Sequence, residues 1–148
     1  MKICVDTVVL IDILKDEFRS FQENLYAAMA AKQTLIAPAV VFAELMPQFN
    51  EDTDAASSFL KDHKVGIAAL DLDAVKIAGS RWLKYLKRKP KAKCPNCGCK
   101  LNKKEHFLSD FYIGGFALAK CDAILTRDRG IYKKYFPDLQ NYEIKQNR

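Results

Sequence analysis

The sequence lacks any apolar stretch long enough to cross a membrane. A spanning helix needs about 20 consecutive apolar residues, and no run in the 148 residues approaches that length. The apolar run that follows Lys2 is broken by Asp6 and Asp12, and no small-residue cleavage site comes after it. We therefore interpret the N-terminus as part of the fold rather than as a signal peptide, and we expect a cytoplasmic protein.

Glycine is also scarce, with 6 in the whole chain, and no glycine-rich loop follows the first predicted strand. Dinucleotide-binding domains need such a loop, because it lets the backbone approach the pyrophosphate. A second absence concerns position 8, which is Val8. Phosphatases of a different α/β class place a second aspartate two residues after the nucleophilic one, so a start at Asp6 does not fit them. The chain matches neither enzyme class.

The cysteine content excludes a framework of disulfides. The chain has 5 cysteines, and an odd number in a chain expected in the cytoplasm argues against regular pairing. Cys4 and Cys121 lie among apolar residues, so we expect them to act as small core side chains.

The other three cysteines, Cys94, Cys97 and Cys99, are clustered. The segment CPNCG at 94–98 is typical of half a zinc knuckle, with two thiolates on a tight turn. A structural zinc needs four ligands, and Cys99 and His106 would complete the set within one chain. The missing pair could equally come from Cys121 or from another subunit. The alternative is a reduced loop without metal.

Acidic residues are absent from one stretch, between Arg81 and Lys104, and this stretch holds ten basic residues. The remaining 14 basic and 18 acidic residues give the rest of the chain a net charge of −4, although the whole chain carries +6. An acidic body with one basic segment is typical of nucleic-acid-binding proteins. The alternative is a solvated, lysine-rich surface. The candidate nucleic-acid contacts are Lys87, Arg88, Lys89, Lys91 and Lys93.

What the sequence does contain is an alternation of strand and helix patterns. Its apolar content of 49% is enough for a core. We expect one domain over residues 1–148, with a basic, cysteine-containing insertion at about 90–106. Strands are predicted at 2–5, 34–37, 65–70, 123–126 and 142–144. Helices are predicted at about 8–31 (in one or two pieces), 40–49, 52–63, 72–89, 109–120 (capped by Ser109) and 130–135. The alternation indicates an α/β fold with a mostly parallel sheet.

Four carboxylates stand alone within apolar stretches, and together they form what we call the acidic quartet. Its members are Asp6, Glu44, Asp110 and Asp128. An ionised carboxylate in an apolar setting is costly unless it is paired, protonated or bound to a cation. In parallel α/β sheets, ligands gather at the carboxyl ends of the strands, and Asp6 and Asp128 directly follow predicted strands. We therefore expect the quartet to converge on one metal ion.

Each of these carboxylates also has a simpler interpretation. Asp6 could cap the helix that follows it, and Glu44 could pair with a distant lysine. Asp110 could complement a helix dipole, and Asp128 could be a turn residue. Taken jointly, the four favour a shared site, whereas Asp12 is expected on the polar face of the first helix.

Four segments resemble the motifs of the PIN-domain family, in the expected order and over nearly the whole chain. They are CVDTVVLID at 4–12, AVVFAEL at 39–45, SDFYIGGFA at 109–117 and ILTRDR at 124–129. The resemblance is greatest to VapC-like toxins of bacterial and archaeal toxin–antitoxin systems. It implies a PIN-like three-layer α/β/α fold with a mostly parallel central sheet. Val8 departs from the family, which often has serine or asparagine there, and the insertion after residue 90 is absent from minimal members.

The resemblance implies a ribonuclease that cleaves RNA phosphodiester bonds with Mg²⁺ or Mn²⁺. The implied catalytic and metal-binding residues are Asp6, Glu44, Asp110 and Asp128, with weaker hydroxyl contacts from Thr7 and Thr126. Magnesium prefers carboxylate oxygens and water, and in a two-metal site the ions lie ~4 Å apart. A cognate antitoxin and a homodimer are the implied protein partners. The alternative is a catalytically silent PIN-like RNA-binding or adaptor protein that uses the zinc knuckle, and the intact acidic quartet argues against it.

Overall fold

The computed structural model describes residues 1–88, 94–99 and 106–144. Its strands are β1 (Lys2–Val5), β2 (Thr34–Pro38), β3 (Val65–Ala68) and β4 (Ala123–Leu125). Its α-helices are α1 (Thr7–Lys15), α2 (Arg19–Ala30), α3 (Ala39–Leu45), α4 (Thr53–Asp62), α5 (Leu72–Arg88), α6 (Leu108–Lys120) and α7 (Arg129–Tyr135), and a 3₁₀ turn at Met46–Phe49 follows α3. None of the helices in these ranges is long and apolar enough to cross a membrane.

The four strands form one parallel sheet in the order β3-β2-β1-β4. Strand β1 lies in its interior, where Cys4 pairs with Ile36 of β2 and with Ile124 of β4. Ile3, Cys4 and Val5 have no exposed surface, as expected of a parallel strand that is covered on both faces. The predicted α/β architecture with a parallel sheet is confirmed.

The four predicted strands that form this sheet are confirmed to within two residues at each end, but the fifth, at 142–144, is wrong. Asn141 makes one isolated parallel bridge with Ile124. The N–H of Tyr142 donates to the carbonyl of Ile124 over 2.7 Å as part of this bridge. The pairing does not continue beyond it, and Glu143 and Ile144 are exposed. Three residues were too short a pattern to distinguish a strand from a single bridge beside β4.

The first predicted helix, left open as one or two pieces, forms two helices, and the start of one later helix differs from prediction. Helices α1 and α2 are separate, because Asp16 and Phe18 both adopt φ of 50°, which a continuous right-handed helix does not allow. Helix α6 begins one residue before Ser109, with Phe107 as its N-cap. Asp52 caps α4, since its Oδ1 accepts from the N–H of Ala55 over 3.0 Å.

Helices α5 and α6 pack closely, and this contact positions the first turn of α6. A Cβ on Gly115 would overlap the carbonyl oxygen of Ala74 and would lie 2.9 Å from the backbone nitrogen of Ala78, so only glycine allows α6 to approach α5 this closely. Further along, the ring of Tyr85 packs against that of Phe111, with centroids 5.7 Å apart. The C-terminal end of α5 therefore lies beside the first turn of α6.

Candidate active site

The carboxyl ends of β1 and β4 lie side by side, and hydrogen bonds link the residues that follow them. Asp6 comes directly after β1, and its N–H donates to the carbonyl oxygen of Leu125, the last residue of β4, over 3.0 Å. The hydroxyl of Thr126 donates to Asp6 Oδ2 over 2.6 Å. Asp128 is the N-cap of α7, and its N–H donates to Thr126 Oγ1 over 3.0 Å. Two members of the acidic quartet are thus connected through one threonine.

Asp6 is buried, with 3% of its surface exposed. It occupies the N-cap position of α1, but its side chain makes no capping hydrogen bond. Besides Thr126, the hydroxyl of Tyr132 donates to Asp6 Oδ2 over 3.4 Å. Burial raises the pKa of Asp6 to about 7; the hydrogen bond from Thr126 opposes the rise, and the negative charges of Asp110 and Glu44 add to it.

Glu44 and Asp110 reach the same region from two helices. Glu44 lies half-buried on α3 and accepts a hydrogen bond from the hydroxyl of Thr7, the first residue of α1. Asp110 lies in the first turn of α6, where its Oδ2 accepts from the N–H of Phe107 over 3.2 Å. Burial raises the pKa of Asp110; the bond from Phe107 opposes the rise, and the charges of Glu44 and Asp128 add to it.

The acidic quartet is therefore one electrostatically connected cluster. Asp6 experiences the charges of Glu44 and Asp110, and Asp110 experiences those of Glu44 and Asp128. The dipole interpretation of Asp110 also holds, because its carboxylate bonds the N-terminal backbone of α6. That bond does not remove the repulsion among the four charges, which needs either protons or a cation to offset it.

The oxygen donors of the acidic quartet suit a hard cation, although their side chains are not arranged to ligate one. Among residues 1–88, 94–99 and 106–144, no three His, Cys, Asp or Glu side chains are arranged to ligate a metal ion. Glu44 is turned towards the hydroxyl of Thr7, and Asp6 towards that of Thr126. The available donors are nevertheless carboxylate and hydroxyl oxygens, the ligands that Mg²⁺ and Mn²⁺ prefer. Cation binding would require these side chains to rotate.

The expectation for Asp12 is wrong, and its partner was not predicted. Asp12 has no exposed surface, because it falls three residues after buried Val9 on the inner face of α1. Arg127 binds it with both arms of its guanidinium, Nε to Oδ2 over 2.9 Å and Nη2 to Oδ1 over 3.1 Å. The helical spacing from Val9 would have indicated the burial of Asp12, but nothing in the sequence pairs it with Arg127.

The clustered cysteines lie on a short turn. The N–H of Cys94 donates to the carbonyl of Cys99 over 2.7 Å, and that of Gly98 donates to the carbonyl of Cys94 over 2.9 Å. Gly98 has φ of +68°, in the left-handed region that favours glycine. Hydrogen bonds from the Cys99 backbone, the Cys99 thiol and the Cys94 thiol lower the pKa of the Cys97 thiol. The thiols of Cys94 and Cys99 therefore each lie near that of Cys97, although no three metal-binding side chains of the described residues are arranged around one ion.

His106, the fourth residue of the predicted zinc set, packs among aromatic side chains. Its N–H donates to the hydroxyl of Tyr85 over 3.1 Å. Its ring lies against those of Tyr85 and Tyr135, with centroids 5.4 and 6.0 Å apart. Its charge lowers the pKa of Asp110, so His106 lies towards the acidic quartet.

Part of the predicted nucleic-acid contact surface lies near the start of α6. Lys87 and Arg88 are exposed at the end of α5. The contact between Tyr85 and His106 holds this end close to the start of α6, which carries Asp110. Three further predicted contacts fall outside the described residues: Lys89, Lys91 and Lys93.

No protein-family model matches the chain, and no curated protein matches it. Its structure is similar to a chain in the crystal structure of VapBC2 from Rickettsia felis bound to a DNA fragment from their promoter. The TM-score is 0.67, the match covers 97% of this chain and 98% of that chain, and the sequence identity is 16%. At this identity the likeness shows a shared fold, and the predicted PIN-like fold class is confirmed.

Proposed function

We propose that this protein is a metal-dependent endoribonuclease that hydrolyses RNA phosphodiester bonds. The observation that carries the proposal is the electrostatic connection among Asp6, Glu44, Asp110 and Asp128 at the carboxyl ends of β1 and β4. These carboxylates come from remote parts of the chain and repel one another, and Mg²⁺ or Mn²⁺ would offset the repulsion. The fold shared with the VapBC2 chain supports the proposal.

The proposed roles follow from the position of each carboxylate. Asp6, Asp110 and Asp128 would hold the cation, and Glu44 would bind it directly, bind it through water, or orient the attacking water. When bound, the cation supplies a water of lowered pKa and charge stabilisation for the phosphate. The buried Tyr132, 1% exposed, lies against Asp6 and excludes bulk water there, which strengthens the electrostatic interactions of the site.

Two threonine hydroxyls complete the proposed site. Thr7 and Thr126 donate to Glu44 and Asp6 in the structure. Each hydroxyl can also accept a hydrogen bond, so after cation binding it would be available to a bound water or to a phosphate oxygen.

The direct test is an RNA cleavage assay with end mapping, run with Mg²⁺, with Mn²⁺ and with a chelator. We expect discrete cleavage products with either cation and none with the chelator, because the carboxylates alone cannot lower the pKa of water. RNA binding without cleavage under all three conditions would contradict the nuclease proposal and favour a silent RNA-binding adaptor.

We further propose that the chain is the toxin of a type II toxin–antitoxin pair that acts in the cytoplasm. The support is the motif resemblance together with the fold shared with the VapBC2 chain. A cognate antitoxin and a second copy of the chain would be its protein partners. Expression of the chain alone should arrest growth, and expression of the adjacent reading frame should relieve the arrest. Unaffected growth despite cleavage activity in vitro would remove the toxin assignment and leave the nuclease.

The exposed end of α5 is proposed to bind RNA phosphates. Lys87→Gln/Arg88→Gln should weaken binding and reduce the slope of log affinity against log salt by about 1.4, because each lost single-strand phosphate contact contributes ~0.7. The matched control is Lys61→Gln/Lys64→Gln, which removes two exposed lysines at the end of α4 and in the turn before β3. A slope unchanged by the first variant, or equally reduced by the control, would show that these cations only solvate the surface.

The cysteine turn is proposed to bind structural zinc through Cys94 and Cys97. The support is the close approach of the thiols and the lowered pKa of Cys97, since zinc binds the thiolate form. Cys99 and His106 remain the proposed completion of the set within one chain. Elemental analysis should find zinc in the purified protein and much less in Cys94→Ser/Cys97→Ser. Protein purified without chelators and free of zinc would exclude the site.

A further inference from the structure

Arg127 is held rigidly at the edge of the acidic quartet. It stands between Thr126 and Asp128, and the charges of Asp128 and Asp6 both raise its pKa, after the larger effect of its hydrogen bond to Asp12. That bond is bidentate, with distances of 2.9 and 3.1 Å. Two parallel bonds of this kind fix the plane of a guanidinium as well as its position.

The acceptor that holds Arg127 is itself immobilised. Asp12 is completely buried on α1. Its carbonyl oxygen accepts from the N–H of Glu17 over 2.9 Å and from Nε2 of Gln22 over 3.2 Å. Gln22, also buried, bonds the carbonyl of Glu17 over 2.7 Å. The turn between α1 and α2 therefore fixes the backbone of Asp12, and burial restricts the movement of its side chain.

An aromatic ring covers one face of the same guanidinium. The Cζ atom of Arg127 lies 4.1 Å from the ring centroid of Phe18, within the range of a cation–π contact. Phe18 is 52% exposed, so this ring lies at the surface and not in the core. Nε and Nη2 are bound to Asp12, so Nη1 is the guanidinium nitrogen that this pair does not engage. The Arg127 side chain is 34% exposed, so Asp12 and Phe18 cover it only in part.

We propose that Arg127 is a substrate-binding residue that binds the RNA phosphate next to the one being cleaved. This inference rests on the proposed nuclease function. Arginine forms strong charge-assisted bonds to phosphate, and a fixed guanidinium loses little entropy on binding one. The neighbouring cation site would take the scissile phosphate, and Arg127 would set the register of the strand. The opposing possibility is a tether that only ties α1 to the segment between β4 and α7.

The test measures binding of a short fluorescent single-stranded RNA in an Asp6→Asn background, so that no cleavage occurs. Arg127→Gln should weaken binding about tenfold and reduce the salt slope by ~0.7. Arg127→Lys should restore most of the slope, because the charge is kept, but not the full affinity, because the fork is lost. Arg19→Gln is the control, since Arg19 is an exposed neighbour that pairs with Asp16 on the surface. It should leave both quantities unchanged.

If Arg127 only ties α1 to the segment between β4 and α7, its variants should lower the melting temperature without changing the salt slope of RNA binding. That result would overturn the inference. An equal effect of Arg19→Gln would do the same. Because Arg127→Gln leaves Asp12 buried with a weaker partner, the double variant Asp12→Asn/Arg127→Gln, which buries neither charge, should show the same loss of slope. If the Asp6→Asn parent binds no RNA at all, the proposed function fails together with this inference. A parent that binds, with an unchanged slope in both Arg127 variants, removes only the inference.

Discussion

Replacing Asp6 with asparagine is expected to abolish RNA cleavage and, at the same time, to stabilise the metal-free protein at neutral pH. The loss of activity should be at least ~10³-fold, because an amide neither carries the charge that holds the cation nor offsets charge in the transition state. The gain in stability follows from burial, since asparagine keeps the oxygen that Thr126 bonds but has no charge to desolvate.

The pH dependence of this stability difference is the more specific part of the prediction. The pKa of Asp6 is raised to about 7 in the folded protein, against ~3.9 in the unfolded chain. Below about pH 4 the wild-type side chain is protonated in both states, so the two proteins should be equally stable. As pH rises towards 7, the folded wild type binds the proton that the unfolded chain has released, and its free energy of unfolding falls by ~4 kcal/mol at most. The variant does not lose this contribution.

Urea unfolding of both proteins across this pH range, with a chelator present, measures the difference directly. Mg²⁺ or Mn²⁺ should then stabilise the wild type more than the variant, because only the wild type has the full set of carboxylates. Asp62→Asn is the control, since Asp62 is exposed at the end of α4. A variant that still cleaves RNA, or a stability gain that does not change with pH, would contradict the account.

Gly115→Ala is expected to cause a large loss of stability, because the added methyl group meets the backbone of α5. The new Cβ would overlap the backbone oxygen of Ala74 and crowd the backbone nitrogen and Cβ of Ala78, at 2.9 and 3.1 Å. Backbone atoms of α5 cannot rotate away as a side chain can, so the two helices must separate. Overpacking of this kind costs about 1–3 kcal/mol or more, which exceeds the ~0.5–1 kcal/mol that alanine gains over glycine in a helix.

Gly79→Ala is the matched control, because Gly79 lies on α5 and its added Cβ would meet nothing within 4 Å. It should raise the free energy of unfolding by ~0.5–1 kcal/mol, so the two identical chemical changes should have opposite signs. RNA cleavage should fall only in Gly115→Ala, since α6 carries Asp110. Equal effects of the two substitutions on urea unfolding would mean that α5 and α6 do not pack as described.

The sheet was largely predictable because its strands are short apolar runs with sharp polar ends. Residues Ile3 to Val5 and Ala123 to Leu125 are buried on both faces, and such strands appear in a sequence as continuous apolar segments. The carboxylates at their ends were predictable for the same reason, since Asp6 and Asp128 interrupt that pattern. Local composition was sufficient to predict these features, because both the burial of each strand and the place where it ends are visible in a few consecutive residues.

What the sequence did not reveal depends on contacts between distant residues. Arg127 and Asp12 are 115 positions apart, and no short-range pattern records such a pair. The start of α6 was missed because Phe107 has no capping side chain; its N–H is bonded instead by Asp110 from within the helix. The sequence left open whether α1 and α2 are one helix, because the break depends on the left-handed backbone of Phe18, a conformation that bulky residues seldom adopt.

The most direct test of the proposed cation site is anomalous diffraction from a crystal soaked in Mn²⁺. A manganese peak is expected among the carboxylates of Asp6, Glu44, Asp110 and Asp128, with Glu44 or Asp6 released from its threonine. Fully ordered carboxylates without a peak among them, under conditions in which the same preparation cleaves RNA, would contradict it.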